Sequence, residues 1–245
     1  MKTVIGVMLG LVLAAGPGFS QDPAGGAPKG EKAPGPGEEL DKAVAKAGTM
    51  TNYSCVISVK VEGISVDTKD SQPVELQIQP GAPWHLKWGD KEAYKKGEVI
   101  VVKEGDAWKR PDRAAKGAQS LAMLRGPHEV LEDLKSSSFK EVKREDSEGG
   151  RCFAGELTEE AAKNLAQMKR GAAAGDRSLP KPTGTAKVWV NGEGAVTKYE
   201  VFIEAKMKGA DNQDVTVKRA IAVEFRDIES TKYEVPPEAA KALEG

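Results

Sequence analysis

The sequence predicts an α+β fold built on one curved antiparallel sheet, with short helices packed on one side of it. Three observations carry this. About ten segments alternate apolar and polar residues with period two, the pattern of strands with one buried and one solvated face. Nearly all are joined by short turns, and no βαβ rhythm appears, so neighbouring strands run antiparallel. Helical periodicity is confined to the start, the middle and the end of the chain.

The chain has 245 residues, room for one large or two small domains, but its first segments are not core-forming. One Lys, an apolar run from Val4 to Ala15 and then small residues read as a secretory signal peptide over 1–20, cleaved after Ser20. The run is shorter than the ~20 residues a membrane anchor needs. No Cys lies near the cleavage point, so a lipid-modified terminus is excluded. Residues 21–37, QDPAGGAPKGEKAPGPG, are Pro, Gly, Ala and charge, the composition of a disordered linker. A single domain is expected over 38–245.

In chain order, Leu40, Ala43, Val44 and Ala47 first form the i, i+3, i+4, i+7 stripe of a short helix ending at Gly48. From Asn52 to Glu62, Tyr53, Cys55, Ile57, Val59 and Val61 share one strand face. Val74, Leu76 and Ile78 do so next, and Trp84, Leu86 and Trp88 after them, with His85 pointing the other way. Lys91 to Arg110 is a three-strand meander cut at Gly97 and Glu104-Gly105-Asp106. Its Val99–Val102 run is apolar on both faces, so something must cover the second side. Residues 112–136 turn helical, with Leu121, Met123 and Leu124 before Pro127, then Val130, Leu131 and Leu134 as a stripe. Phe139–Glu145 and Arg151–Leu157 read as a strand pair, and Thr158 as the cap of the helix after it. Residues 169–184 form a second low-complexity stretch. Thr185–Lys208 is a hairpin with its tip at Asn191-Gly192-Glu193-Gly194; Ala195, Thr197, Tyr199, Val201, Ile203 and Ala205 point inward. In the strand Asp214–Arg226, Arg219 interrupts the apolar row of Val215, Val217, Ile221, Val223 and Phe225. A last strand, Ser230–Val235, leads into a C-terminal helix over Glu238–Leu243.

Chemistry is sparse. The formal charge of −1 argues against nucleic acid as a partner. His85 and His128 are the only histidines and fit no ligand spacing, so neither metal nor cofactor is expected. No nucleophile elbow, no C-x-x-C and no phosphate-cradling glycine loop occurs. Gly209–Asp214 lacks the spacing of a calcium loop and reads as a hairpin tip. Cys55 and Cys152, the only two cysteines, are a candidate disulfide in an exported protein, or two small buried hydrophobes. No catalytic residue emerges, and an enzyme is not expected.

The order of elements resembles the bacterial lipoprotein-carrier superfamily of LolA/LolB-like fold, and within it the mycobacterial LppX/LprG-type relatives. The N-terminal helix leading into NYSCVISVKVEG, the EAYKKGEVIVVKEGDAWKR meander, the TAKVWVNGEGAVTKYEVFIEAK hairpin and the closing YEVPPEAAKAL carry the resemblance, from about Glu38 to Leu243. It implies a strongly curved, open half-barrel, with helices covering the concave face over a hydrophobic cavity, and a role in envelope lipid or lipoprotein transport without catalysis.

The expected function is therefore an exported carrier, periplasmic or otherwise extracytoplasmic, soluble and at most peripheral to the membrane, that holds a lipid or an acylated lipoprotein. The inner strand faces supply more aliphatic area than the helices bring to cover it, which leaves a greasy groove suited to acyl chains. Its expected lining is Ile57, Val59, Leu76, Ile78, Leu86, Trp88, Leu121, Leu124, Tyr199, Val201, Ile203, Val217, Ile221 and Val223. Arg219 either snorkels to the rim of the core or meets the head group of a ligand. The alternative is an envelope interaction or regulatory module of the same fold, with a packed core and a protein partner.

Overall fold

The computed structural model describes residues 33–63, 72–111, 125–166, 181–208 and 213–244. The leader at 1–20, the bulk of the linker at 21–37, Leu121 and Leu124, most of the 169–184 stretch and the tip at 209–212 lie outside these residues.

Among the described residues, eleven strands form one antiparallel sheet: β1 (Tyr53–Glu62), β2 (Val74–Ile78), β3 (Trp84–Trp88), β4 (Lys91–Lys96), β5 (Val99–Glu104), β6 (Ala107–Lys109), β7 (Lys143–Ser147), β8 (Gly150–Glu156), β9 (Thr183–Asn191), β10 (Val196–Lys208) and β11 (Asp214–Arg226). Their order, β6-β5-β4-β3-β2-β1-β11-β10-β9-β8-β7, is two meanders joined where β1 pairs with β11. The α+β class expected from the sequence is the one observed. The sheet is open, as a half-barrel is, with β6 and β7 at its edges. Lys143, Arg144, Glu145 and Asp146 are all exposed on β7, and such charge discourages edge-to-edge pairing.

Helices α1 (Pro36–Gly48), α2 (Pro127–Glu132) and α3 (Glu159–Ala166) lie on the apolar face. Leu40, Val44, Leu131 and Leu165 join Tyr53, Leu76, Leu86, Val188 and Tyr199 in one buried cluster. Each helix starts where its sequence dictates. Pro36 opens α1, the Glu129 carboxylate accepts from Gly126 N–H at 3.1 Å ahead of α2, and Thr158 Oγ1 accepts from Ala161 N–H at 3.2 Å in α3. β6 and β7 are consecutive in sequence yet sit at opposite edges, about 48 Å apart along the sheet at the usual strand spacing. The connection between them carries α2 onto the apolar face.

α4 (Pro237–Glu244) departs from the expectation that all helices share one side. Ala239 and Leu243 pack on Tyr94 and Val101, on the opposite face of β4 and β5, with Trp108 and Tyr233 alongside. That is the cover the two-faced Val99–Val102 run required. His85 also points to this face, yet it is buried rather than solvated, stacked on Tyr94 at 4.7 Å with Tyr233 at 5.5 Å. The expected strand Ser230–Val235 is instead an extended crossing without ladder bonds. Tyr233 secures it, its N–H donating to Gln79 Oε1 at 3.3 Å and its hydroxyl to Pro83 O at 2.6 Å.

His85 Nε2 contacts Glu92 Oε1 at 2.7 Å, and Nδ1 lies 2.6 Å from the Gln77 amide. Burial holds the imidazole below its ordinary value, against the opposing pull of Glu92. Burial thus favours the neutral ring, which can donate from only one of its two nitrogens. Its stabilisation is complete above the unfolded value near 6.5 and is lost as pH falls through that value toward the depressed one. Thermal melts between about pH 7 and 5 should show a steeper loss for the native chain than for His85→Gln; parallel curves would contradict the assignment.

Two further differences are local. A β-bulge between Val196 and Lys198 shifts the phase of β10, so Val196 is buried where Ala195 and Thr197 were expected inward. β7 begins at Lys143 rather than Phe139. Phe139 keeps only a bridge to Leu157, because the chain enters there from a 3-10 turn at Ser136–Ser138. The hairpin tip is as expected: Gly194 has φ 77°, and Asn191 Oδ1 accepts from Glu193 N–H at 3.0 Å and Ala195 N–H at 2.9 Å.

Candidate functional site

Strand lengths divide the apolar face into two zones. β1, β11 and β10 have 10, 13 and 13 residues, whereas β2 and β3 have 5 each. Among the described residues, β1 therefore pairs with β2 only as far as Ile57, while its far half pairs with β11 alone. In the near zone, Tyr53, Leu76, Ile78, Leu86, Tyr199 and Val223 are buried in the cluster that takes in α1 and α2. α3 packs against β9 and β10, and Val201, Ile203 and Ile221 are sealed. In the far zone, Val59, Val61, Val215 and Val217 share the same face but are only half-buried, as are Val74 and Trp88 at the adjoining ends of β2 and β3. Gly184, opposite Ile203, lets the chains approach closely at this boundary. A Cβ there would sit 2.6 Å from Ile203 Cδ1 and 3.0 Å from Leu157 Cδ1.

The expected lining residues thus fall into two groups. Ile57, Leu76, Ile78, Leu86, Tyr199, Val201, Ile203, Ile221 and Val223 are sealed in the core; Val59 and Val217 lie in the far zone and Trp88 borders it. Arg219 sits in the far zone, paired with Val61 on one side and Ile203 on the other. Its Nε is buried without a hydrogen-bond partner. Burial draws the guanidinium below its ordinary value, with no neighbouring charge in opposition. Glu62 and Glu204 are close in register, but they pair with Lys218 and so belong to the other face.

The candidate disulfide does not form. Cys55 and Cys152 are both free and buried. Cys55 is in register with Leu76 and Phe225 on the apolar face, whereas Cys152 is in register with Trp189 and Glu145 on the other. Four strand positions separate β1 from β8. A bridge needs Cα atoms within about 7 Å, so both thiols act as small buried hydrophobes. Burial pushes the Cys55 thiol up to about 12, which makes it a poor nucleophile.

Other polar groups near the core are spent on the fold. The Tyr53 hydroxyl, raised by burial, pairs with His128 Nδ1 at 2.8 Å and ties β1 to α2. Among the described residues, no group of three or more His, Cys, Asp or Glu could hold a metal ion, and no helix is long and apolar enough to cross a membrane.

One feature gave no signal in the sequence. An open cleft of about 570 Å³ lies between α1 and the β9–β10 tip, lined by Glu39, Lys42, Lys46, Arg151 and Asn191 among others. Four of its charged side chains are partnered: Glu39 accepts from Arg144 at 3.0 Å and Arg151 at 2.8 Å, Lys42 pairs with Glu38, and Lys46 donates to Glu193 O at 2.8 Å. Residues so far apart in sequence share no pattern that could have foretold it.

The chain is similar to the crystal structure of LprF from Mycobacterium bovis, with 11% identity over 83% of this chain and 97% of that one, at a TM-score of 0.47. It also matches a bifunctional dehydratase-cyclase domain of ambruticin biosynthesis (13% identity, 84% of this chain and 83% of that one, TM-score 0.15). A third match is the tesB protein MAP1729c of Mycobacterium avium subs paratuberculosis (12% identity, 77% of this chain and 84% of that one, TM-score 0.10). No family model matches the sequence, and no curated protein does. Likenesses this distant carry no argument about a ligand.

Proposed function

We propose that this chain is an exported, non-catalytic carrier that holds the acyl chain of a lipid or lipoprotein on the far zone of its apolar sheet face. The observation that supports the reading is the half-buried row Val59, Val61, Val74, Trp88 and Val217, continuous with a sealed core on the same face. An acyl chain laid along it would complete the burial these side chains lack, at about 25 cal/mol per Å² of apolar surface removed from water. The spent polar groups support a binding role over a reaction: Tyr53 is bound to His128, His85 to Glu92, and the Cys55 thiol is held protonated. The leader-like start supports export.

A neutral probe isolates the apolar contribution. A long-chain alcohol bearing a pyrene label should bind the purified chain saturably, and lipid should be extractable from chain isolated out of an envelope fraction. Val59→Asp and Val217→Asp, which place a carboxylate on the row, should weaken probe binding by about tenfold or more. Unaltered affinity in both variants, or no binding and no extractable lipid, would overturn the proposal.

A further inference from the structure

We infer that the cargo carries an anionic group, a carboxylate or a phosphate ester, and that this group seats on Arg219. The inference rests on the carrier reading above and names the chemical class of ligand that the far zone selects.

Six arginines are among the described residues, and five of them have partners that account for their position. Arg110 donates to Ala242 O and Leu243 O, Arg125 pairs with Asp133 and Glu129, Arg144 and Arg151 share Glu39, and Arg226 pairs with Glu224. Arg219 differs. Its Nε is buried with no hydrogen-bond partner, on a strand face whose neighbours in register, Val61 and Ile203, and along the strand, Val217 and Ile221, are all apolar. Strict alternation puts the nearby Glu62 and Glu204 on the opposite face, where Lys218 faces them.

Arg219 as a residue is half-buried, but a guanidinium N–H sealed without a partner is costly, and an incoming acceptor would satisfy it. The missing partner must reach the sheet through the half-buried row, must bring negative charge, and must bond to Nε–H together with a second guanidinium N–H. A planar carboxylate or a phosphate oxygen pair fits that fork. An acyl chain on Val59 and Val217 would carry such a group to Arg219, since Val217 lies two residues before it on the same strand face and Val59, in register with Ile221, is its diagonal neighbour. The competing account is that Arg219 contributes only its aliphatic stem. Methionine preserves an apolar stem of similar length without the charge, so it separates the two.

The test compares affinities for palmitate and for the matched sixteen-carbon alcohol, in the native chain, Arg219→Met, Arg219→Lys and Lys218→Met. Acetate and inorganic phosphate serve as unattached anions. The native chain should prefer the acid by about tenfold or more, the worth of a charge-assisted hydrogen-bond pair. In Arg219→Met the acid-to-alcohol ratio should fall toward one, and in Arg219→Lys to an intermediate value, because an ammonium supplies a point charge without the fork. Lys218→Met removes a positive charge one residue away on the other face, and its ratio should match the native chain. Arg219→Met should melt no lower than native, which shows that it folds. Equal ratios in native and Arg219→Met protein would overturn the inference and leave the carrier reading standing. So would acetate or phosphate binding as tightly as palmitate, which would make this a free-anion site. If neither the acid nor the alcohol binds the native chain, the carrier reading fails and takes this inference with it.

Discussion

Replacing Tyr199 by alanine is expected to cost about 3–5 kcal/mol of stability, the usual range for deleting a large aromatic side chain from a core. Tyr199 is 1% exposed and lies in register with Val188 and Val223, in the middle of the β9–β10–β11 run. Its ring is 6.1 Å from Phe225, which in turn meets Tyr53 at 5.4 Å, so three aromatic rings brace the seam between the two meanders. Alanine would leave a void between β1, β11 and the helices that none of these partners could refill. Tyr199→Phe keeps the ring and should cost less than about 1.5 kcal/mol, which separates packing from the hydroxyl. Urea unfolding of the three proteins measures both. A loss below about 1.5 kcal/mol in the alanine variant would mean that the space beside Tyr199 is already open. The cavity expected from the sequence would then extend into the near zone, and the division of the apolar face would be wrong.

That division marks how far the sequence could be read. The period-two pattern placed most strands within a few residues and assigned inner and outer faces correctly for β1 to β3 and for β11, because alternation is a local property of the chain. It could not say that β1 pairs with β11, since that contact joins Cys55 to Phe225 across nearly the whole domain. Without that pairing, the stretch where β1 runs on past β2 was invisible, and sealed and open lining residues looked alike. The bulge in β10 has no marker in the sequence either, so Ala195 and Thr197 read as belonging to the side that Val196 occupies. The state of the two cysteines is legible in the alternation itself. Cys152 alternates with Ala154 and Glu156, whereas Phe153 alternates with Leu157, and a strand that buries Phe153 must turn Cys152 away from it. Cys55, beside Tyr53 and Ile57, belongs to the buried row by the same rule. Arg219 stood out by breaking an otherwise apolar row. Only the structure added that its Nε is sealed without a partner.

The second large effect is expected at Leu243, in α4, on the face opposite the other helices. The Val99–Val102 run demanded a cover on both sides, but the sequence placed the C-terminal helix with the others on one side, because the alanine-rich PPEAAKAL carries no mark of the face it serves. Leu243 is buried against Tyr94 and Val101, and Arg110 fixes the end of the helix by donating to Ala242 O and Leu243 O, both at 3.0 Å. Cationic donors at a helix C-terminus satisfy carbonyls that have no partner within the helix. Leu243→Asp would remove about 1.5–3 kcal/mol of burial and set an unpaired carboxylate against Tyr94, for a total loss of roughly 3–5 kcal/mol. Undocking of α4 sets the ceiling, because the helix can leave the sheet before the carboxylate is fully buried. Leu243→Met, which conserves volume, should stay below about 1.5 kcal/mol. Undocking would also uncover Tyr94, Val101 and Trp108, so an apolar-surface dye should bind Leu243→Asp well below its melting temperature. A loss under about 1 kcal/mol with no dye binding would show that α4 does not seal this face, and the buried environment assigned to His85 beneath Tyr233 would need another cover.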